Sequence, residues 1–466
     1  MTGRPRAALA DAAPIPFWLD SPSAPPAAAP LSGTTRCDLA VVGAGFTGLW
    51  TALLAKEADP SRDVLLIDGR TAGWAASGRN GGFCASSLTH GLANGLARFP
   101  DEMPVLERLG SENLSAIEAA ISRYGIECGF ERTGELEVAT APHQLAWLDE
   151  SVEQARAFGH DAVALDRDAA RAELASPTYV GAAWHRDRTA LVDPARLAWG
   201  LRSACSRLGV RIAEHAPVRS LARDGAGVRL RTAAATVHAG RVALATNAFR
   251  SLLRRARPYV VPVYDYVLVT EPLSTAQLAS IGWRHRQGVG DVTNQFHYYR
   301  LTRDDRILFG GYDAIYHYGN GLRDSLDQRP GTFELLAGHF FATFPQLGGL
   351  RFTHKWGGAI DTSTRFFAFQ RTALGGRVAY SLGYTGLGVA ASRFGAQVML
   401  DLLDGRDTEA TRLRAVRARP LPFPPEPARY AGIQLTRRAL ARADARQGRR
   451  GPWLRVLDRV GLGFDS

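Results

Sequence analysis

The sequence predicts an α/β protein: a parallel sheet flanked by helices, joined to a second domain built on an antiparallel sheet. Three observations predict it. From Arg36 to Gly82 an apolar strand, a glycine turn, an apolar helix and a strand ending in an acid follow in that order. From Tyr259 to Tyr312 apolar and polar residues alternate in several short runs, the period of a sheet with two unlike faces. From Val378 to Leu403 a strand, a glycine turn and a helix recur.

In the first unit, residues 37–42 read as a buried strand and 49–56 as an apolar helix, with Gly43-Ala44-Gly45-Phe46-Thr47-Gly48 between them. Gly43 permits a sharp turn off the strand. Gly45 has no Cβ, so a pyrophosphate can approach the backbone. Gly48 lets the helix pack closely on the sheet. The start of such a helix offers free N–H groups and a positive dipole end to phosphates. A second strand, 64–67, ends at Asp68, twenty residues past Gly48, where a carboxylate can bind ribose hydroxyls. This order makes a Rossmann-like, dinucleotide-binding unit; a glycine turn in an ordinary βαβ unit is the bland alternative.

Upstream, residues 1–35 are rich in Ala and Pro and read as an extended arm, anchored to the body by Phe17, Trp18 and Leu19. Downstream, 83–100 reads as loop and short helix. Residues 107–124 form a helix with Leu109, Leu114, Ile117 and Ile121 on one side. Segments 128–131 and 134–139 follow as extended chain, the second as a strand with one exposed face, then a helix at 143–158 and a strand at 179–185. Pro194 suits the first turn of a helix over 195–208. Strands return at 210–213 and 217–218, a hairpin at 228–237 and a buried strand at 241–245. The antiparallel sheet takes 259–270, 289–299, 307–312 and 351–356. The last glycine turn opens a helix over 390–403.

A second glycine-rich segment follows Asp68, Gly69 and Arg70. It reads Ala75-Ala76-Ser77-Gly78-Arg79-Asn80-Gly81-Gly82, and an NAD-binding domain has no need of it. The stretch resembles the D-amino-acid oxidase-like superfamily of FAD-dependent oxidoreductases, nearest to the branch that includes gamma-glutamylputrescine oxidase. In that family such a segment passes beside the flavin. The resemblance spans residues 37–405. It implies that Val218 pairs its backbone with the adenine, that Ala245-Thr246-Asn247 is the family's turn near FAD, and that Gly383-Tyr384-Thr385-Gly386-Leu387-Gly388-Val389 is its C-terminal flavin motif. It implies a FAD-binding domain from 36–90, 191–250 and 351–405, a substrate domain from 91–190 and 251–350, and a tail at 406–466.

The resemblance further implies oxidation of the C–N bond of a small-molecule amine by hydride transfer to flavin N5. The imine product hydrolyses to an aldehyde or keto acid. Aromatic side chains in 295–300 suit a roof over the flavin that excludes water and holds a cation. Candidates for substrate contact or catalysis are His297, Tyr298, Lys355 and Trp356, each with a core-packing reading beside it. Some family members attach FAD through a Cys just before the last glycine motif. Residues 356–361 contain none, so the FAD is expected to be non-covalent. Sarcosine oxidases place a Lys after that motif; Ala390 or its neighbours stand here, which favours an amine without an α-carboxylate. Electrons can pass to O2 or a quinone. A D-amino-acid dehydrogenase that reduces a quinone and a non-catalytic flavin-binding protein are the alternatives.

The chain has 466 residues, 46% of them hydrophobic and 22% charged, enough for two packed domains and unlike a disordered chain. The net charge is +11, but Lys occurs only at Lys56 and Lys355 and the many Arg are spread along the chain. Nucleic acid is therefore not an expected partner. Cys37, Cys84, Cys128 and Cys205 fit neither a zinc site nor a disulfide framework. With no apolar run long enough for a signal peptide or a membrane span, a cytoplasmic protein is expected. The exception to the dispersed charge is the tail. After the run Pro420 to Pro427, residues 433–447 and 453–462 form helices with one apolar and one Arg-rich face.

Overall fold

The computed structural model describes residues 3–459 and 461–462. Two sheets organise them. The first has the strand order Phe369–Ala373, Val378–Leu382, Ala235–Leu244, Gly33–Val42, Val64–Ile67 and Arg211–Ala213. Its neighbours run parallel except at the Phe369–Ala373 edge. At the sheet centre, residues 39–42, 64–67 and 242–244 are continuous apolar runs, as segments buried on both faces must be. Helices Phe46–Ala58, Pro194–Arg207 and Gly388–Asp404 cover one face through Leu49, Trp50, Leu201 and Met399. A hairpin of Ser220–Asp224 and Gly227–Arg231 continues from Ala235–Leu244 and packs over the other face.

The second sheet runs Ile315–Tyr316, Val261–Thr270, Ile307–Gly311, His297–Leu301, Gly288–Asp291, Glu135–Ala139, Gly181–His185 and Ala162–Leu165, with Phe352–Thr362 also paired to Val261–Thr270. It is antiparallel except where Gly288–Asp291 meets Glu135–Ala139. Helix Pro330–Thr343 buries Phe333, Leu336 and Phe340 against one face. The other face looks toward the first sheet.

Several local expectations change. Residues 289–299 are two strands with a loop between them, because Thr293, Asn294 and Gln295 turn the chain and bond side chains at Asp291 and Asp444. Pro217 and Val218 lie in irregular chain; Pro has no N–H to give a ladder. Residues 128–131 make one isolated bridge, Glu131 to Leu191. The charged side of Glu135–Ala139 is half-buried rather than openly exposed: Glu135 lines the cavity and Glu137 is paired with His185. Residues 352–362 join the second sheet, whereas 363–405 stay with the first. The strand Ala162–Leu165 and helix Arg167–Glu173 carry no strong periodicity and were not expected. The N-terminal arm contains a short helix, Gly3–Ala8. Trp18 does anchor it: the indole is buried and Nε1 donates to Asn80 O at 2.9 Å. Val460, part of the last apolar face in the sequence, lies outside the described residues.

Candidate active site

A cavity of about 1490 Å³ lies between the two sheets. It exceeds the few hundred to about 1,000 Å³ usual for one small ligand, and both glycine turns open on it. Gly43 has φ +105°, and a Cβ there would stand 2.4 Å from Ala245 O. A Cβ on Gly48 would stand 1.7 Å from Gly43 O. Only glycine lets strand, turn and helix close this tightly. Asp68 braces the same turn. Its Oδ2 accepts from Ala44 N at 2.6 Å and its Oδ1 from Arg70 N at 2.7 Å, while burial pushes its pKa up.

The segment 75–82 folds over this turn. Ser77 Oγ accepts from Phe46 N at 2.9 Å. Asn80 ties its own loop by donating to Ala76 O and accepting from Gly82 N. Arg79 stacks on Trp74 and pairs with Asp327 of the second domain. The last glycine turn is held by Asp361, whose Oδ2 accepts from Gly383 N at 2.6 Å. Burial raises the Asp361 pKa to about 7. Thr47 donates to Tyr384 Oη at 3.0 Å, which joins the two turns.

Of the residues expected at the cofactor, Gly43, Gly45, Phe46, Thr47, Asp68, Gly69, Arg70, Ala76, Ser77, Arg79, Asn80 and Gly81 line this one cavity. So do Val218, Ala245, Thr246, Asn247, Tyr384, Thr385, Gly386, Leu387, Gly388 and Val389. Gly48, Gly78, Gly82 and Gly383 do not; each sits where a Cβ would meet a neighbour, as Gly82 would meet Val192 O at 2.2 Å. Two features mark the lining as made for an anionic dinucleotide. Helices Phe46–Ala58 and Gly388–Asp404 both begin here with no side-chain bond from the N-cap residue. Apart from Phe46 N, held by Ser77 Oγ, no described side chain takes a bond from their first-turn N–H groups, which suits an anion. The buried Thr246 hydroxyl has no partner among the described residues. These residues fit FAD.

The second sheet supplies the other wall. Tyr298 donates to Asp265 Oδ2 at 2.5 Å. Asp265 Oδ1 accepts from Tyr266 N at 2.8 Å and Gly311 N at 3.1 Å. Both side chains line the cavity. The Tyr298 ring reaches Asp265 by crossing Gly310, where a Cβ would stand 2.6 Å from the ring. No Lys or Arg among the described residues pairs with Asp265. Enclosure of this uncompensated carboxyl raises its pKa to about 6.

The other three candidates do not line the cavity. His297 is on the opposite face of its strand from Tyr298, between Asp291 at 2.6 Å and His339 at 2.9 Å. Lys355 points to the N-terminal segment, where Nζ donates to Leu9 O at 3.2 Å. Trp356 is buried, and Nε1 donates to Arg79 O at 2.9 Å; it supports the loop beside the cavity. Asp265 and Asp361 were missed by sequence reasoning, although each is an acid within an apolar or glycine-rich strand. The tail was missed as a wall: Ile433, Leu440, Trp453 and Leu457 close the cavity on its outer side.

The family described as FAD dependent oxidoreductase (DAO) matches residues 38–402. The chain belongs to this family. It is 33% identical over 404 residues to gamma-glutamylputrescine oxidoreductase of Escherichia coli (strain K12), covering 84% of this chain and 89% of that one. It is 28% identical to the probable oxidoreductase OrdL of Haemophilus influenzae, covering 81% and 85%. The crystal structure of glycine oxidase from Geobacillus kaustophilus superposes with a TM-score of 0.66 at 20% identity, over 80% of this chain and 96% of that one. This chain is therefore a FAD-dependent oxidoreductase of the DAO family. Among its described residues no helix is long and apolar enough to cross a membrane, and no cluster of His, Cys, Asp and Glu could hold a metal ion.

Proposed function

We propose that the chain oxidises the C–N bond of an amine, with hydride passing to N5 of a non-covalently held FAD and an imine released to hydrolysis. The observation that carries this reading is the enclosed, unpaired Asp265 carboxylate in the cavity wall. A buried anion without a counter-ion is costly, and a substrate ammonium removes that cost. Tyr298, Tyr266 N and Gly311 N hold the carboxylate in place. With a pKa near 6, Asp265 is ionised at neutral pH, yet basic enough to take a proton from an ammonium in a water-poor site. The neutral amine is the form that gives up hydride. The turns at 43–48 and 383–389, the segment 76–81 and Thr246 hold the cofactor.

Non-covalent attachment is supported by the cysteines: all four are buried and none lines the cavity. The relative named gamma-glutamylputrescine oxidoreductase and the absence of Lys at 390 support a primary amine without an α-carboxylate.

The test is the visible spectrum of the purified protein under anaerobic additions. Putrescine, gamma-glutamylputrescine, sarcosine and D-amino acids form the panel. Bleaching by an amine without an α-carboxylate is expected. Bleaching only by D-amino acids or sarcosine would overturn the substrate class. Admitting air then separates O2 from a quinone as acceptor by the rate at which colour returns.

A further inference from the structure

Helix Ala428–Asp444 has two faces with different tasks. Ile433, Thr436, Arg437 and Leu440 line the cavity. Half a turn round, Ala431, Leu435, Arg438 and Arg442 form an exposed stripe at the spacing that puts residues on one helix face. The turn after it exposes Arg446 and Arg449. In helix Pro452–Arg459, Trp453, Leu454 and Leu457 face inward, while Arg455, Val456 and Arg459 are exposed. The tail is thus one helix thick between the cavity and the outside.

Residues 428–459 hold nine Arg and two Asp, so they carry seven of the chain's eleven net positive charges. Both acids are already engaged: Asp444 accepts from Asn294 and Gln295 within the fold, and Asp458 pairs with Arg450 at the surface. Arg438, Arg442, Arg446, Arg449, Arg455 and Arg459 make no ion pair with any described residue. Exposed Arg residues elsewhere either meet an acid, as Arg70, Arg108 and Arg211 do, or stand singly without one, as Arg223 and Arg284 do; the tail gathers six unpaired ones on two helices and the turn between them. Among these unpaired charges stand Leu435, 43% exposed, and Val456, 50% exposed, with Tyr430 and Tyr318 at one end.

We propose that this outer face of the C-terminal helices docks on an anionic phospholipid surface. The inference goes beyond the amine-oxidising reaction and does not depend on it. Basic side chains interleaved with exposed apolar ones match a bilayer surface, where the charges meet headgroups and Leu435 and Val456 enter the interface. Duplex nucleic acid would use the charges and leave the apolar side chains in water. The lid rests on a body held elsewhere by two cores, so docking needs no refolding.

The test is sedimentation of the full-length, FAD-loaded protein with phosphatidylcholine vesicles, with and without phosphatidylglycerol. Binding is expected only with the anionic lipid, and it weakens with salt. Changing Arg438, Arg442, Arg446 and Arg449 together to Gln should lower partitioning at least about a hundredfold. Leu435→Asp and Val456→Asp should lower binding while leaving FAD content and turnover of soluble amine unchanged. Absence of binding to anionic vesicles, equal binding to neutral ones, or tighter binding to duplex DNA would overturn the proposal. Unaltered binding of the Gln variant at unchanged FAD content would do so too.

Discussion

Asp265→Asn keeps the size of the side chain and removes its charge. The amide oxygen can still accept from Tyr266 N and Gly311 N, and its NH2 can donate to Tyr298 Oη, so the wall keeps its shape. What is lost is the anion that faces the substrate nitrogen and the group that takes its proton. Truncating one member of a buried charge pair costs about 3–5 kcal/mol, and positioned proton transfer contributes about 10²–10⁴ in rate. Because one group serves both purposes, the two losses overlap rather than multiply. A fall of roughly 10²–10⁴ in kcat/KM is expected, since each 1.36 kcal/mol is about tenfold. The pH profile is the sharper assay. The wild-type kcat/KM should rise with pH up to about 6, where Asp265 ionises, then level off until a second group titrates. In Asp265→Asn this acid limb should vanish. Tyr298→Phe removes one of three hydrogen bonds to the carboxylate and so should move the limb upward by about one unit. Persistence of the limb near pH 6 in Asp265→Asn, or a loss below threefold, would refute the assignment. Flavin content measured on each variant separates a lost role from a lost fold.

Other expectations follow from the same geometry. Gly48→Ala puts a Cβ at 1.7 Å from Gly43 O, so the purified variant should lack bound FAD and melt early; a full flavin spectrum would contradict the packing argument. Asp361 is raised to about 7 in the fold against an ordinary value near 3.8, so its protonated form is the stabilising one. Its contribution to the apoprotein is complete below pH 4 and is lost as pH rises through 7. Asp361→Asn should therefore gain on the wild type over that span, by up to about 4 kcal/mol, in denaturant titrations at several pH values. All four thiols are buried, and burial pushes the pKa of Cys37, Cys128 and Cys205 up to about 12. A thiol reagent should label none of them in the native protein and all four after denaturation.

The two glycine turns were legible because their physics is local. A positive φ at Gly43, a missing Cβ at Gly48 and an acid at the end of the next strand all fall within one short stretch, and the fold places them as the spacing implies. The wall opposite was not legible in the same way. In a strand, neighbouring side chains point to opposite faces, and which set faces the cavity depends on strands distant in sequence. His297 and Tyr298 looked alike; register places Tyr298 inward and His297 against Asp291 and His339. Lys355 and Trp356 also point to opposite sides, yet neither reaches the cavity: Lys355 bonds Leu9 O and Trp356 bonds Arg79 O. Asp265 stood in plain view within PYVVPVYDYVLVT, but alternation alone does not say which face of the strand meets the cavity. The exposed face expected at Glu135–Ala139 is half-buried for the same reason: Glu135 lines the cavity and Glu137 is paired with His185.

The tail shows where family likeness stops being informative about the site. The family match ends at residue 402, yet Ile433, Leu440, Trp453 and Leu457 lie beyond it and still line the cavity. The turns proposed to hold FAD fall within the match. The parts that decide what reaches FAD come from a helix pair strapped on by Asp444 to Asn294 and Gln295 and by Arg437 to Asp313. Substrate choice in this chain should therefore respond to substitutions at Leu440 and Trp453 that leave FAD binding untouched. Leu440→Ala enlarges the chamber without adding charge, so its effect should appear as a changed ranking of amines by length at constant flavin content. If the ranking does not change, selection lies in the sheet wall around Asp265 and Tyr298, and the tail serves only to close the site from outside.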